Sequence, residues 1–440
     1  MPSAIAPHNI TNPDAPKRGT VLILGADGFI GRHLAFGLRA AGWTVIASAR
    51  RTRRLSQMGF ETLKADLALD DCAKPGFWRD RVQGVTHIVN SAGVLNASNR
   101  IAEAVHITAP KALYEALPKR TTGVLISAVG IDTATSGFAT TRLAGEKVAL
   151  ESGLTVLRAG LVLGETSHGG SSLARALSAL PWVTPVVGDG QQPFNPIHAA
   201  DLTRIVDHAL VNNLPDGVHE IGGPETITQS EMMRGLRRWL GLRDVPTFKL
   251  PLPMSRVLGR MGDAMQLGPI SASAVTQLNA GVLAKNSSDL MDLPVSPRGF
   301  SDFITARPAG TQDLWHARLY LFRPLLRITL ALMWLVSGMV GLFLPASEFL
   351  PLIDSPKIND TILTILARIG GMIDVLIAGA LLRGWRPKLM TAFQIATVTG
   401  YTVVFTFLAP SFWLLPLGGL IKNIPILALI GLSAILEDER

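Results

Sequence analysis

Residues 137–147 read GFATTRLAGEK and set an aromatic ring, Phe138, four residues before a cation, Arg142. At that spacing the two side chains share one face of a helix. The arrangement belongs to a catalytic helix when the aromatic carries a hydroxyl to give. Phe138 carries none, and a guanidinium stays charged near neutral pH, so this pair can bind a ligand but cannot hand it a proton. A second group with chemistry in its spacing is Gly25-x-x-Gly28-x-x-Gly31, with Asp27, Phe29 and Ile30 between the glycines. Glycines at these positions allow a tight turn, let a pyrophosphate approach backbone N–H groups and let the next helix pack on its strand. Beyond the following apolar run an NAD-binding chain places a carboxylate on the ribose. Here no Asp or Glu occurs from Gly28 through Phe60, and Arg50, Arg51, Arg53 and Arg54 occupy the region. Arg53 and Arg54 read as a solvated basic turn. Arg50, nearest the strand end, suits a 2′-phosphate, which favours NADP(H) while NAD(H) stays possible.

These residues need elements to hold them. Residues 21–24 are wholly apolar, as in a strand of a parallel sheet buried on both faces, and Phe29, Ile30, Leu34 and Leu38 then recur at helical spacing. Further strand candidates lie at 44–49, 85–90, 123–128 and 155–158, with helices between them. That alternation predicts an α/β fold of the Rossmann type, a doubly wound parallel sheet. Thr228 and Glu231 form a capping box for a helix through Leu240, and His198 with Asp201 reads as fixing a loop to a helix start.

The same residues resemble the short-chain dehydrogenase/reductase superfamily in its extended and atypical branches. GADGFIGRHL looks like that family's Gly-x-x-Gly-Phe-Ile-Gly signature. KADL, with Asp66 and Leu67, matches its adenine-contacting Asp, and NSAG, from Asn90 through Ala92 to Gly93, its fourth-strand motif beside the cofactor. LRAGLVLG, NPIHAADL and GGPETITQSEMM carry the resemblance on, so that it spans residues 20–303. It is closest to the atypical group that includes the nucleotide-binding accessory subunit of respiratory complex I. Catalytic members protonate the substrate oxygen with a Tyr-x-x-x-Lys pair whose Lys also grips the ribose. Phe138 falls at the Tyr position, Arg142 at the Lys position, and Ser127 near the family's Ser/Thr. The resemblance thus implies a cofactor pocket in which Arg142 holds the nicotinamide ribose, without ordinary carbonyl reduction.

With 440 residues the chain is long enough for two or three domains. Hydrophobic residues make up 48% and the mean hydropathy is +0.32, too oily for a purely soluble enzyme. The net charge of +8 is carried mainly before residue 324, and no dense Lys/Arg run with interleaved aromatics points to nucleic acid. Attraction to anionic lipid is the better reading of it. A single cysteine, Cys72, excludes disulfides within the chain and fits a reducing compartment. Residues 1–19 read as a loose polar leader with no apolar core or cleavage signal, so the domain that follows, 20–305, is expected to stay in the cytoplasm.

After a juxtamembrane stretch at 306–323, where Trp315 and Tyr320 suit an interface, residues 324–440 contain four apolar segments: 325–344, 361–382, 389–408 and 412–436. Each is long enough to span a bilayer. Arg318, Arg323 and Arg327 precede the first, and Arg383, Arg386 and Lys388 separate the second from the third. The loop after the first has Lys357 against Glu348, Asp354 and Asp360. The bias places both termini in the cytoplasm of a multi-pass protein of a bacterial-type inner membrane. RITLALMWLVSGMVGLF and LPLGGLIKNIPIL resemble the first and last helices of the DoxX-like membrane family, some relatives of which are tied to quinone-linked redox chemistry.

Counting inward from the outer ends, Asp374 and Lys422 lie roughly 20 and 15 Å deep, with Arg368 at roughly 10 Å as a rival partner. Charges at such depth usually face a partner or a wet cavity. The expectation is that Asp374 and Lys422 meet, with Asn423 nearby, and line a polar site for a quinone-like head group; Pro425, after Gly418 and Gly419, would loosen the last helix. Two functions follow. One is a membrane-bound NADPH-dependent oxidoreductase acting on a quinone or other lipophilic acceptor. The other is a non-catalytic NADPH-binding scaffold or sensor in a membrane protein complex.

Overall fold

Residues Val21 to Leu24 of β1 (Thr20–Leu24) are buried, and they alternate between two cores. Val21 and Ile23 join Leu34, Leu38, Val206 and Leu210 on one face, whereas Leu22 and Leu24 join Trp78, Ile88 and Leu113 on the other. A strand with both faces covered must be apolar throughout, which is the pattern this one shows. Its neighbours are β2 (Thr44–Ala49), β3 (Glu61–Lys64), β4 (His87–Asn90), β5 (Thr122–Ala128), β6 (Thr155–Ala159) and β7 (Val218–Ile221). Together they form a seven-stranded sheet in the order β3-β2-β1-β4-β5-β6-β7, with all neighbours parallel. The order reverses between β1 and β4, and the register sets Leu24 beside Ser48 and Asn90. Ligands of doubly wound sheets bind in the crevice at such a switch point, outside the carboxyl ends of the strands.

The computed structural model describes residues 18–437 apart from 96, 133, 135, 212–213, 266, 268–269, 286–294, 354–357 and 416–417. Most of the polar leader, and Asp354 and Lys357 of the loop after the first apolar segment, lie outside the described residues. Strands β3 and β7 were not among the expected ones. Glu61–Lys64 buries only Leu63, so its sequence shows no apolar run. The helices that frame the site are α1 (Phe29–Ala40), α2 (Gly137–Glu151) and α3 (Ala199–Leu210). His198 caps α3 by accepting from the Ala200 N–H, and the Thr228–Glu231 capping box opens α4 (Gln229–Trp239). A smaller core of Phe194, Met232, Met233, Leu236 and Phe300 lies under α4.

The chain divides into two compact units. The first runs to Gly259 and resumes over Gly268–Leu314; the second takes Arg260–Leu267 and Trp315–Glu439. The division at Leu314 falls inside the expected juxtamembrane stretch. Residues 260–267, read as part of the nucleotide domain, group instead with the second unit, because α5 (Leu252–Ala264) passes from one to the other.

In the second unit α6 (Phe322–Phe343), α7 (Asp360–Leu382) and α8 (Pro387–Leu408) are each long and apolar enough to cross a membrane. A Cβ on Gly371 would lie 2.8 Å from the Gly338 carbonyl oxygen, so these glycines let the α6 and α7 backbones touch. The fourth expected span, 412–436, is not one helix. A tight turn at Pro410–Leu414 is followed by Gly418 at φ +94° and by Gly419, whose Cβ would overlap the Phe412 carbonyl at 1.8 Å. Only α9 (Asn423–Leu436), 14 residues long, continues as an α-helix. Pro425 does not loosen it, because a proline in the first turn removes an N–H that has no partner within the helix.

Candidate functional site

The turn after β1 is built by its glycines. Gly25 has φ +73°, and a Cβ there would come within 2.8 Å of the Ala92 Cα. The turn is thereby pressed against the loop that follows β4. A Cβ on Gly31 would meet the Gly25 oxygen at 2.1 Å, which explains how α1 packs so near its strand. Gly28 is exposed, and its missing side chain faces only the Gly25 oxygen at 3.1 Å. No side chain caps α1, and its first turn, with Phe29 and Ile30, holds no acidic residue. The first N–H groups of α1 receive no side-chain cap, and the positive end of the helix dipole points the same way.

Around this turn the structure gathers most of the expected residues. Asp27 is half-buried beside Gly28. Asn90 donates to Tyr114 Oη at 2.7 Å and accepts from the Ala92 N–H at 3.1 Å, so it shapes the loop that reaches Gly93. At the β3 end, Asp66 accepts from the Ala68 N–H at 3.2 Å, and Leu67 is buried. Arg50 is exposed at the end of β2, whereas Arg54 is half-buried and has a partner of its own. These groups fit the pyrophosphate and adenosine ends of a nicotinamide dinucleotide.

The catalytic position differs. Arg142 is 6% exposed and donates to the Ala92 carbonyl at 2.9 Å and to the Ile126 carbonyl. Burial holds its pKa below that of a free guanidinium. The expected free cation for a ribose is instead a brace between the loop after β4 and strand β5, because both terminal nitrogens face carbonyls. Ser127 is buried, and its hydroxyl has no hydrogen-bond partner among the described residues. Phe138 stands edge-on to His106 with ring centroids 5.7 Å apart.

His106 was not foreseen. It sits in a π-helical turn, Ala104–Thr108, a feature frequent at functional sites, and a lone His in IAEAVHITAP gave no pattern to read. Its Nε2 accepts from the Val94 N–H at 3.1 Å, so Nδ1 carries the proton toward Thr141 Oγ1 at 2.9 Å. Burial, with Arg142 nearby, pushes its pKa down to about 4, so the ring is neutral at pH 7. Both nitrogens are engaged, and the ring wedges α2 against the β4 loop.

A cavity of about 240 Å³ opens beyond β6, walled by Glu165, Arg175, His198, Trp239, Arg298 and Arg307. The adjoining Gly164 abuts His33 of α1, which places the cavity next to the dinucleotide crevice. A hydrogen bond from His198 holds the Glu165 carboxyl down to about 2. Arg298 binds the fully buried Asp201, and Arg307 grips Asp313 through two hydrogen bonds of 2.8 and 3.0 Å. His198 and Asp201 do fix a loop to the start of α3, and His198 also walls the cavity together with Arg298, 100 positions away.

The second unit has its own polar centre, and it is not the expected one. Asp374 accepts from Ser337 Oγ at 2.6 Å and from Tyr401 Oη at 3.0 Å, joining α6, α7 and α8. Lys422 is exposed and does not pair with it. Because Gly418 and Gly419 break the segment just before Lys422, the depth counted for Lys422 does not apply. Asn423 donates to Thr402 Oγ1 at 2.6 Å. Arg368 donates to the Gly341 and Leu344 carbonyls at 2.7 and 2.8 Å and so neutralises the C-terminus of α6.

Sheet order, glycine turn and apolar helices define a short-chain-dehydrogenase-type dinucleotide domain followed by a membrane domain. Residues 21–222 match the NAD dependent epimerase/dehydratase family, and residues 331–431 match the DoxX-like family. The chain is 26% identical to an epimerase family protein SDR39U1 homolog from the chloroplast of Arabidopsis thaliana over 247 residues, 49% of this chain and 70% of the relative. It is 33% identical to dihydroflavonol 4-reductase of Zea mays over 84 residues, which span only 24% of that relative and 18% of this chain. Among solved structures it is similar to UDP-glucuronic acid 4-epimerase from Bacillus cereus in complex with NAD, at 18% identity and a TM-score of 0.45 over 53% of this chain and 87% of the other. It is also similar to ADP-L-glycero-D-manno-heptose-6-epimerase of Helicobacter pylori, at 16% identity and a TM-score of 0.46 over 61% and 92%. On the two family matches, the protein joins an epimerase/short-chain-dehydrogenase domain to a DoxX-like domain.

Proposed function

We propose that the protein is a membrane-anchored, NADP(H)-binding scaffold or sensor of the short-chain dehydrogenase type, held in a bacterial-type inner membrane with both termini in the cytoplasm. The observation that carries this reading is Arg142, buried and bound to two main-chain carbonyls beside a phenyl ring in place of a phenol. Neither group can protonate a substrate oxygen, so the site keeps the nucleotide without the family's acid. The uncapped α1 N-terminus would hold the pyrophosphate, Asp66 the adenosine end and Arg50 the 2′-phosphate. The family description over residues 21–222 supports a nicotinamide cofactor.

A second reading is favoured by Asp374, whose carboxyl is bonded to two hydroxyls among apolar helices. In it the protein is an NADPH-dependent oxidoreductase for a quinone or another lipophilic acceptor. NADPH, when bound, supplies a hydride; reduction of a quinone to a hydroquinone also needs one proton, which a carboxyl and a phenol can relay.

One experiment separates the two. The full chain is purified in detergent, its nucleotide identified, and NADPH oxidation followed with simple ketones and with soluble quinones. The scaffold reading expects tight NADPH binding and no turnover with either. Turnover with quinones that falls at least about tenfold in Asp374→Asn establishes the second reading, and brisk ketone reduction overturns both.

A further inference from the structure

Helix α5 is built inside out. Its buried residues are small, Ser255, Gly259 and Gly262, while Met254, Val257, Leu258 and Met261 are 53, 54, 43 and 53% exposed. A Cβ on Gly259 would lie 2.8 Å from the Ala272 N, so the packed side of the helix has no room for an apolar side chain. At about 100° per residue the four exposed apolar residues fall within an arc of about 100°, the width of a face that normally seeks a core. Arg260 borders that arc on the Val257 side, and Arg256 lies just beyond it. The strand that leads into α5, Thr247–Leu250, leaves Phe248 50% exposed, and Trp182, just before its partner strand Thr184–Val187, is 81% exposed.

We infer that α5, with Trp182 and Phe248, is a membrane-surface anchor: it lies in the headgroup region of the bilayer with Met254, Val257, Leu258 and Met261 toward the acyl chains. Three observations commit the face to lipid. The same chain carries three helices able to cross a membrane. The last residues of α5 belong to that unit, and Arg327 of α6 donates to the Met265 carbonyl at 2.5 Å. The charge pattern also fits, since arginines beside an apolar arc and an exposed indole are the groups that settle at a bilayer interface. The inference rests on the second unit residing in a bilayer and not on any nucleotide chemistry, so its failure leaves the cofactor reading untouched.

The test uses the full chain in nanodiscs of mixed phosphatidylcholine and phosphatidylglycerol. Cys72 is buried and its thiol is pushed up to about 11, so it resists labelling at neutral pH. Spin labels are attached through Met254→Cys, Arg256→Cys, Leu258→Cys and Met261→Cys, one at a time. Labels at 254, 258 and 261 are expected to collide with oxygen several-fold more than with an aqueous nickel chelate, and the label at 256 to show the reverse. Aqueous access at all four, or shielding of 254, 258 and 261 from both reagents as under a second copy or another protein, overturns the inference. Adding Leu258→Glu and Met261→Glu to Met254→Cys should raise nickel access at 254 several-fold while NADPH binding persists. Unchanged access in that variant also counts against the anchor.

Discussion

Arg142 donates from both terminal nitrogens of its guanidinium to the Ala92 carbonyl in the loop after β4 and the Ile126 carbonyl within β5, and truncating it strands both acceptors in a buried place. Arg142→Ala should therefore destabilise the first unit by roughly 2–4 kcal/mol, and nucleotide affinity should fall as a consequence of the loosened β4 loop. Thermal unfolding without nucleotide decides the point, because a ribose contact alone would leave the unliganded transition in place. His106 makes a pH statement. Its folded pKa of about 4 lies below the ordinary 6.5, so the unfolded chain takes up the proton first as pH falls. The stability it contributes is complete above pH 6.5 and drains away toward pH 4, on the order of 3 kcal/mol in all. The transition of the full chain should drop between pH 7 and 5, and His106→Gln should lack that component; parallel slopes would remove His106 from the account. At Arg50 the expected outcome is a preference for NADPH over NADH that narrows about tenfold in Arg50→Ala. Equal wild-type affinities by calorimetry would sink the NADP assignment.

At the scale of elements, α6 and α7 meet through Gly338 and Gly371, and that contact brings Ser337 within 2.6 Å of Asp374. Gly371→Leu should push the helices apart, break the Ser337–Asp374 bond and cost roughly 1–3 kcal/mol by overpacking. Its detergent-solubilised transition should fall by several degrees while NADPH binding persists; an unchanged transition would show that the close approach is dispensable. The elements also show what can be read from a sequence. The β1–α1 turn was legible because a glycine triplet between an apolar run and a helical repeat has few other physical uses. The α4 capping box was legible because both partners lie within one turn of helix. Span four was not, since hydropathy counts apolar residues and is blind to Gly418 at φ +94° or to Gly419 folding the chain onto Phe412. The partner of Asp374 was missed for a related reason. Charge suggested a cation, whereas Ser337 and Tyr401, 37 and 27 residues away, supply hydroxyls that no local pattern links to it.

For the molecule as a whole, the alternation of strands and helices and the oily last quarter were enough to read two domains, and the small-residue side of α5 was the part that escaped. The chain passes from the first unit to the second after Gly259, returns after Leu267 and leaves again after Leu314. A gene cut at the hydropathy boundary would therefore not yield a self-contained soluble fragment. A chain stopped at Leu314 would keep residues 260–267 but lose Arg327, which holds the Met265 carbonyl, and would carry Met254, Val257, Leu258 and Met261 into water. Such a fragment should precipitate or cling to detergent, however well its Rossmann core folds. Domain shuffling faces the same obstacle: a nucleotide half exchanged between relatives at this boundary brings along eight residues that belong with the other half.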